Sequence, residues 1–188
     1  MALFEIWYKI VERWEGGYVN DPKDRGGETY KGVTKKFNST WKGWVIIERY
    51  KAEYLKKTGK ALPRNWFAPK EDTELELLVQ QAAKKSFWDV FKADQIKDQN
   101  VANILVDFGW HSGTGTATKL LQGALNIPKT GVFNEYVLTV INNTDGKKLF
   151  LAIQKARLDL FDSLVKRDPN QQKFLKGWQN RVNSFIYQ

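Results

Sequence analysis

Apolar residues recur at helical spacing along almost the whole chain. Leu3, Trp7, Ile10 or Val11, and Trp14 share one side of a helix over residues 2–14, with Glu5, Lys9, Glu12 and Arg13 mostly elsewhere. Gly16-Gly17 predicts a stop there, because glycine readily takes the left-handed conformation that ends a helix. A second helical stretch is expected from Thr34, its cap, with a break near Lys42-Gly43 and a continuation over 44–58. Residues 60–72, with Pro63 and Pro69, read as a connector. Thr73 and Glu76 have capping-box spacing and open a helix carrying Leu75, Leu78, Val79, Ala82 and Phe87.

The second half continues in the same way. A helix over 100–110 buries Val101, Ile104, Leu105 and Phe108, and His111 to Gly115 reads as a small-residue turn. A short helix over 116–126 ends before Pro128, and Asn134 caps another over 135–142. Asp145 caps a long amphipathic helix over 146–167, with Leu149, Ile153, Ala156, Leu160 and Leu164 inward. Asp168-Pro169 opens the last helix, which reaches about Tyr187. No run of four to eight residues competes as a strand, so the chain reads as all-α, with any boundary near residues 94–100.

Composition narrows the chemistry. A length of 188 residues suits one compact domain or two small lobes sharing a core. No apolar run reaches eighteen residues, so no stable membrane insertion is expected. The start lacks a basic region ahead of an apolar one, which predicts a cytosolic product without a recognisable signal peptide, or one that leaves by a route the sequence does not show. The absence of cysteine excludes disulfides, thiol catalysis and cysteine zinc sites, and a single histidine argues against a multi-histidine metal centre. No cofactor is implied. The net charge of +9 favours an anionic partner: nucleic acid, an anionic membrane surface or an acidic wall polymer. Eight tryptophans and seven tyrosines supply flat faces that fill cores and also stack on sugars or bases.

The candidate chemistry lies between Glu15 and Thr34, which hold five glycines, one proline and four carboxylates. So few core-forming residues are costly to order, which points to a site. Glu15 falls at the end of the first helix, where the partial negative charge of the helix terminus disfavours an ionised carboxylate. Desolvation beside Trp14 acts in the same direction. Both effects suit a general acid, the group that protonates a leaving glycosidic oxygen, usually opposite a second carboxylate. Asp24 is the first choice for that second group, with Asp21 and Glu28 next. Thr29 has a hydroxyl able to position a water or a sugar hydroxyl. Gly26-Gly27 lacks the Gly-Lys-Ser/Thr ending of a phosphate loop.

These residues also carry a resemblance. Glu15-Gly16-Gly17-Tyr18, Asp21-Pro22, Asp24, Gly26-Gly27 with Thr29, and Gly32-Val33-Thr34 resemble glycoside hydrolase family 108, bacterial and phage N-acetylmuramidases that include secretion activator proteins. The similarity continues through Phe87-Trp88-Asp89, Asp107-Phe108, Ser112-Gly113, Leu120-Leu121-Gln122 and residues 177–182. It implies a lysozyme-like helical fold with a catalytic groove and Glu15 as the essential acid. The bond cut would be the β-1,4 link between N-acetylmuramic acid and N-acetylglucosamine. Residues 1–95 would form the muramidase-like part and 96–188 a peptidoglycan-binding-like part sharing one core. Tyr18, Asp21, Glu28, His111 and Ser112 would contact the glycan strand. Action would be at the cell wall or periplasm, in a phage or prophage endolysin or a secretion-linked enzyme. Three positions depart from the family pattern: residues 41–70 look inserted, His111 replaces an asparagine, and residues 130–134 keep a degenerate wall-binding motif. A non-catalytic wall-binding or secretion-assisting protein is the alternative. Chitosanase activity fits poorly, since its polycationic substrate would meet a cationic protein. Nucleic-acid binding lacks any recognised motif or basic helix face.

Overall fold

The computed structural model describes residues 1–21, 27–70 and 72–188. The chain is mostly helical, with one small three-stranded sheet. It divides into two compact units, one built from Met1–Lys9 with Ser86–Gln188 and the other from Ile10–Lys85.

Helix α1 (Phe4–Glu12) starts in the first unit and ends in the second. Its buried residues are Phe4, Trp7, Tyr8 and Val11, spaced i, i+3, i+4, i+7. Leu3 and Trp14, expected inward, are 56% and 42% exposed. The helix is shorter than predicted: Trp14 closes a tighter turn through its amide to the Val11 carbonyl at 2.8 Å.

In the Ile10–Lys85 unit, β1 (Tyr18–Val19), β2 (Thr29–Tyr30) and β3 (Val33–Thr34) pair antiparallel in that order. Each strand has only two residues, too few to show a period of two in sequence. Lys31 and Gly32, with φ of 41° and 78°, make the β2–β3 connection, a left-handed two-residue turn of the kind that suits strand twist. Thr34 therefore lies in a strand and caps no helix. Its carbonyl instead accepts the Asn38 amide at 3.0 Å, and α2 (Gly43–Thr58) begins only after Lys42. Helix α3 (Thr73–Ala83) is capped one residue earlier than expected. The Asp72 carboxylate, a stronger acceptor than a hydroxyl, receives the Leu75 amide at 2.9 Å. Glu76 accepts the Lys31 ammonium at 2.6 Å.

Past α3, the chain forms a π turn (Lys84–Trp88) and two 3-10 turns (Asp89–Phe91 and Ala93–Gln95). Helix α4 (Gln99–Ser112) is the axis of the larger unit, buried continuously from Val101 to Gly109 and packed on α5 (Thr114–Ala124) and α7 (Gly146–Arg167). It runs through the expected turn at His111. Only Gly113, at φ 84°, separates α4 from α5. Helix α6 (Glu135–Asn142) and α7 begin at Asn134 and Asp145, whose side chains accept the Val137 and Lys148 amides. Helix α8 (Gln172–Asn183) follows a 3-10 turn (Pro169–Gln171) and stops short of Tyr187.

The buried stripe of α7 differs from the predicted one. It runs Leu149, Phe150, Ile153, Arg157, Phe161, while Ala156, Leu160 and Leu164 are half-buried beside it. Arg157 can enter the core because Asp107 of α4 meets it. The Asp107 carboxylate accepts Arg157 Nη2 at 2.8 Å and Arg181 Nη2, from α8, at 2.7 Å. Arg157 also lies over the Phe108 and Phe185 rings, 5.1 Å and 5.9 Å from their centroids. This cluster ties α4, α7 and α8 together.

Candidate functional site

Glu15 is half-buried in the connection between α1 and β1, three residues past the last helical residue. The geometry of that segment depends on Gly17. A Cβ there would stand 2.2 Å from the Trp66 carbonyl oxygen, because residues 65–66 run against β1. The Tyr18 amide donates to the Trp66 carbonyl and the Asn65 amide to the Tyr18 carbonyl, both at 2.7 Å. Strand β1 is thus held on one side by Asn65-Trp66 and on the other by β2. The hairpin β1–β2 closes the loop on which the carboxylates lie, pairing Tyr18 with Tyr30 and Val19 with Thr29.

Asp21 is half-buried just after β1. Asp24 lies outside the described residues. The Thr29 hydroxyl, half-buried in β2, donates to the Gly27 carbonyl at 3.1 Å, which commits its proton and leaves its oxygen able to accept.

Tyr18 and Glu28 turn toward each other. Tyr18 is buried, and its hydroxyl donates to Glu28 Oε1 at 2.8 Å. Glu28 also accepts Lys51 Nζ at 2.9 Å and Lys35 Nζ at 2.7 Å, and both lysines bridge on to Glu48. Burial pushes the Glu28 carboxyl upward, but the bonds from Lys35, Lys51 and Tyr18 outweigh it and hold the group below its ordinary value. Burial, then the bond to Glu28, pushes the Tyr18 hydroxyl up to about 12. Burial works against the Lys51 charge, yet Glu28 and Glu48 raise its pKa. Tyr18 and Glu28 therefore lock β1 to β2 and to α2. Lys35, Lys51, Glu48 and the Asn65-Trp66 support escape sequence reading, apart from the i, i+3 spacing of Glu48 and Lys51 on α2.

His111 and Ser112 belong to the other compact unit, at the end of α4. The His111 ring packs edge-on against Phe161 and Trp178, with centroids 5.4 Å and 6.1 Å away. Burial, followed by the charges of Arg181 and Arg157, lowers its pKa to about 4, so the ring is neutral at neutral pH. Ser112 Oγ lies 3.5 Å from His111 Nδ1. Among the described residues no group of three or more His, Cys, Asp or Glu side chains could hold a metal ion.

Residues 8–113 match the family model described as Glycosyl hydrolase 108, more than half of the chain. The chain belongs to the Glycosyl hydrolase 108 family. A glycan is the substrate class that this membership carries. The fold agrees: the structure of Brucella abortus SagA superposes with a TM-score of 0.62 at 23% identity, over 97% of this chain and 90% of that one. No curated protein sequence is significantly similar to it. Within this glycosyl hydrolase 108 chain, the matched region takes in the Glu15 loop, the hairpin and α4.

Proposed function

We propose that this glycosyl hydrolase is an N-acetylmuramidase that cuts the β-1,4 bond between N-acetylmuramic acid and N-acetylglucosamine in bacterial cell walls. The observation that carries the reading is the seat of Glu15. A half-buried carboxyl stands at the entry of a glycine-shaped hairpin that also brings Asp21 and Thr29 into the same compact unit. Glu15 donates its proton to the departing glycosidic oxygen as positive charge develops on the sugar ring. Asp24, or a water held by Asp24 and the Thr29 oxygen, acts on the opposite face of the sugar. Tyr18 and Glu28 serve by fixing the hairpin, and Asp21 contributes a polar contact to the glycan. The charge of +9 draws the protein to an anionic wall, an attraction that weakens as salt rises. The site of action is the wall, reached after synthesis in the cytoplasm.

The test is loss of turbidity of purified walls. Wild type clears them, and Glu15→Gln sediments with the walls at full helical content without clearing them. Equal clearing by both proteins removes Glu15 from the mechanism.

A further inference from the structure

Asn65 carries more than its turn requires. The chain reverses over residues 63–66, where the Trp66 amide donates to the Pro63 carbonyl at 3.2 Å. Asn65 takes the third position of that turn at φ 60°, a left-handed conformation that glycine adopts freely and asparagine tolerates. Glycine would serve the backbone as well. The side chain has a separate place: its Oδ1 lies over Gly16, where an added Cβ would stand 3.3 Å from it. The residue next to Glu15 therefore lacks a side chain where the Asn65 amide sits.

The placement is firm. Backbone bonds hold Asn65-Trp66 on β1, the Ala68 amide donates to the Tyr30 hydroxyl at 3.1 Å, and the Trp66 ring packs on Tyr30 and Tyr50, with centroids 6.3 Å and 5.0 Å away. Asn65 itself is exposed, and its side-chain amide makes no hydrogen bond among the described residues. A backbone held in this way loses little freedom when a ligand binds. An amide offers a donor and an acceptor side by side, and its natural match is another amide. Each N-acetylated sugar carries one, the acetamido group on the carbon adjoining the glycosidic carbon.

We propose that Asn65 is a specificity-determining residue, whose side-chain amide binds an acetamido group of the glycan at the bond cut beside Glu15. The choice of bond rests on the catalytic reading of Glu15, and the contact deepens that reading by naming what selects an N-acetylated strand.

The experiment compares purified walls with the same walls after enzymatic N-deacetylation. Asn65→Gly keeps the left-handed turn and deletes the amide, whereas Asn65→Asp keeps the turn and the acceptor but loses the donor. Initial clearing rates below saturation give kcat/KM on each preparation. Both substitutions are expected to lower the wild-type preference for acetylated walls, Asn65→Gly by about tenfold, with the urea midpoint unchanged. An unchanged preference in Asn65→Gly, or an equal fall on both preparations, makes Asn65 a turn residue only and overturns the proposal. Binding separates this contact from the catalytic reading. Glu15→Gln and Glu15→Gln/Asn65→Gly are each sedimented with both preparations. A preference for acetylated walls that only the first protein retains supports the contact, even where wild type clears neither preparation and the catalytic role of Glu15 fails. Equal preference in both proteins overturns the contact.

Discussion

The Asp107 carboxylate accepts hydrogen bonds from both core guanidinium groups, and its charge can be removed almost isosterically by Asp107→Asn. In the native protein Asp107 and Arg157 are wholly buried and Arg181 is 8% exposed. Arg157 Nε and Nη1 have no hydrogen-bond partner among the described residues. Burial favours loss of the Arg157 charge, and only Asp107 opposes that pressure. Removing the carboxylate charge takes away the counter-charge of buried Arg157, an effect worth about 3–5 kcal/mol when one partner of a buried pair is deleted. For a chain of this size that is a fall in melting temperature of about 6–20 °C. Arg157→Met behaves differently. It removes the buried Arg157 charge together with the unpartnered Nε and Nη1, keeps the Asp107–Arg181 pair and gives up the contacts with Phe108 and Phe185. Those ring contacts are worth about 0.5–2 kcal/mol, so the net cost falls well below that of Asp107→Asn. Urea denaturation of both variants, followed by circular dichroism, reads the difference. A cost for Arg157→Met equal to or above that of Asp107→Asn refutes the charge argument.

Three further outcomes follow from the same geometry. Because the folded pKa of His111, about 4, lies below its ordinary 6.5, the unfolded chain binds the extra proton between those values, and stability falls as pH drops through that window. From about pH 7 to pH 5 the loss is about 2 kcal/mol, and His111→Asn flattens the slope; an unchanged slope contradicts the assignment. Glu28→Gln weakens charge-assisted bonds to two partly exposed lysines and costs about 1–2 kcal/mol, with wall clearing lowered through a loosened hairpin. Full activity with full stability separates Glu28 from the site. Gly17→Ala places a methyl against the Trp66 backbone and costs about 1–3 kcal/mol or more, read as a lower denaturation midpoint; a neutral result shows that the 65–66 segment yields.

Helical content was legible because amphipathic periodicity and side-chain caps are local signals. Asn134 and Asp145 start their helices as the sequence predicts. What sequence could not show depends on partners distant along the chain. Arg157 looks like a surface residue until Asp107, fifty positions away, supplies its counter-charge. Thr34 resembles a cap until β2 takes it into a strand. The same holds at the site. The glycines and carboxylates of residues 15–34 stand out in sequence, but the reason for Gly17 lies at Trp66 and the anchor for Glu28 lies at Lys51. Tyr18 and Glu28 bond each other across the hairpin, a pairing that no local sequence pattern shows.

The most direct test of Glu15 as general acid is product analysis after borohydride reduction of digested walls, by mass spectrometry. Wild type is predicted to yield reduced muramic acid ends, and folded, wall-binding Glu15→Gln none above background. Muramitol released by Glu15→Gln at the wild-type rate, or glucosaminitol in place of muramitol from wild type, would contradict the account.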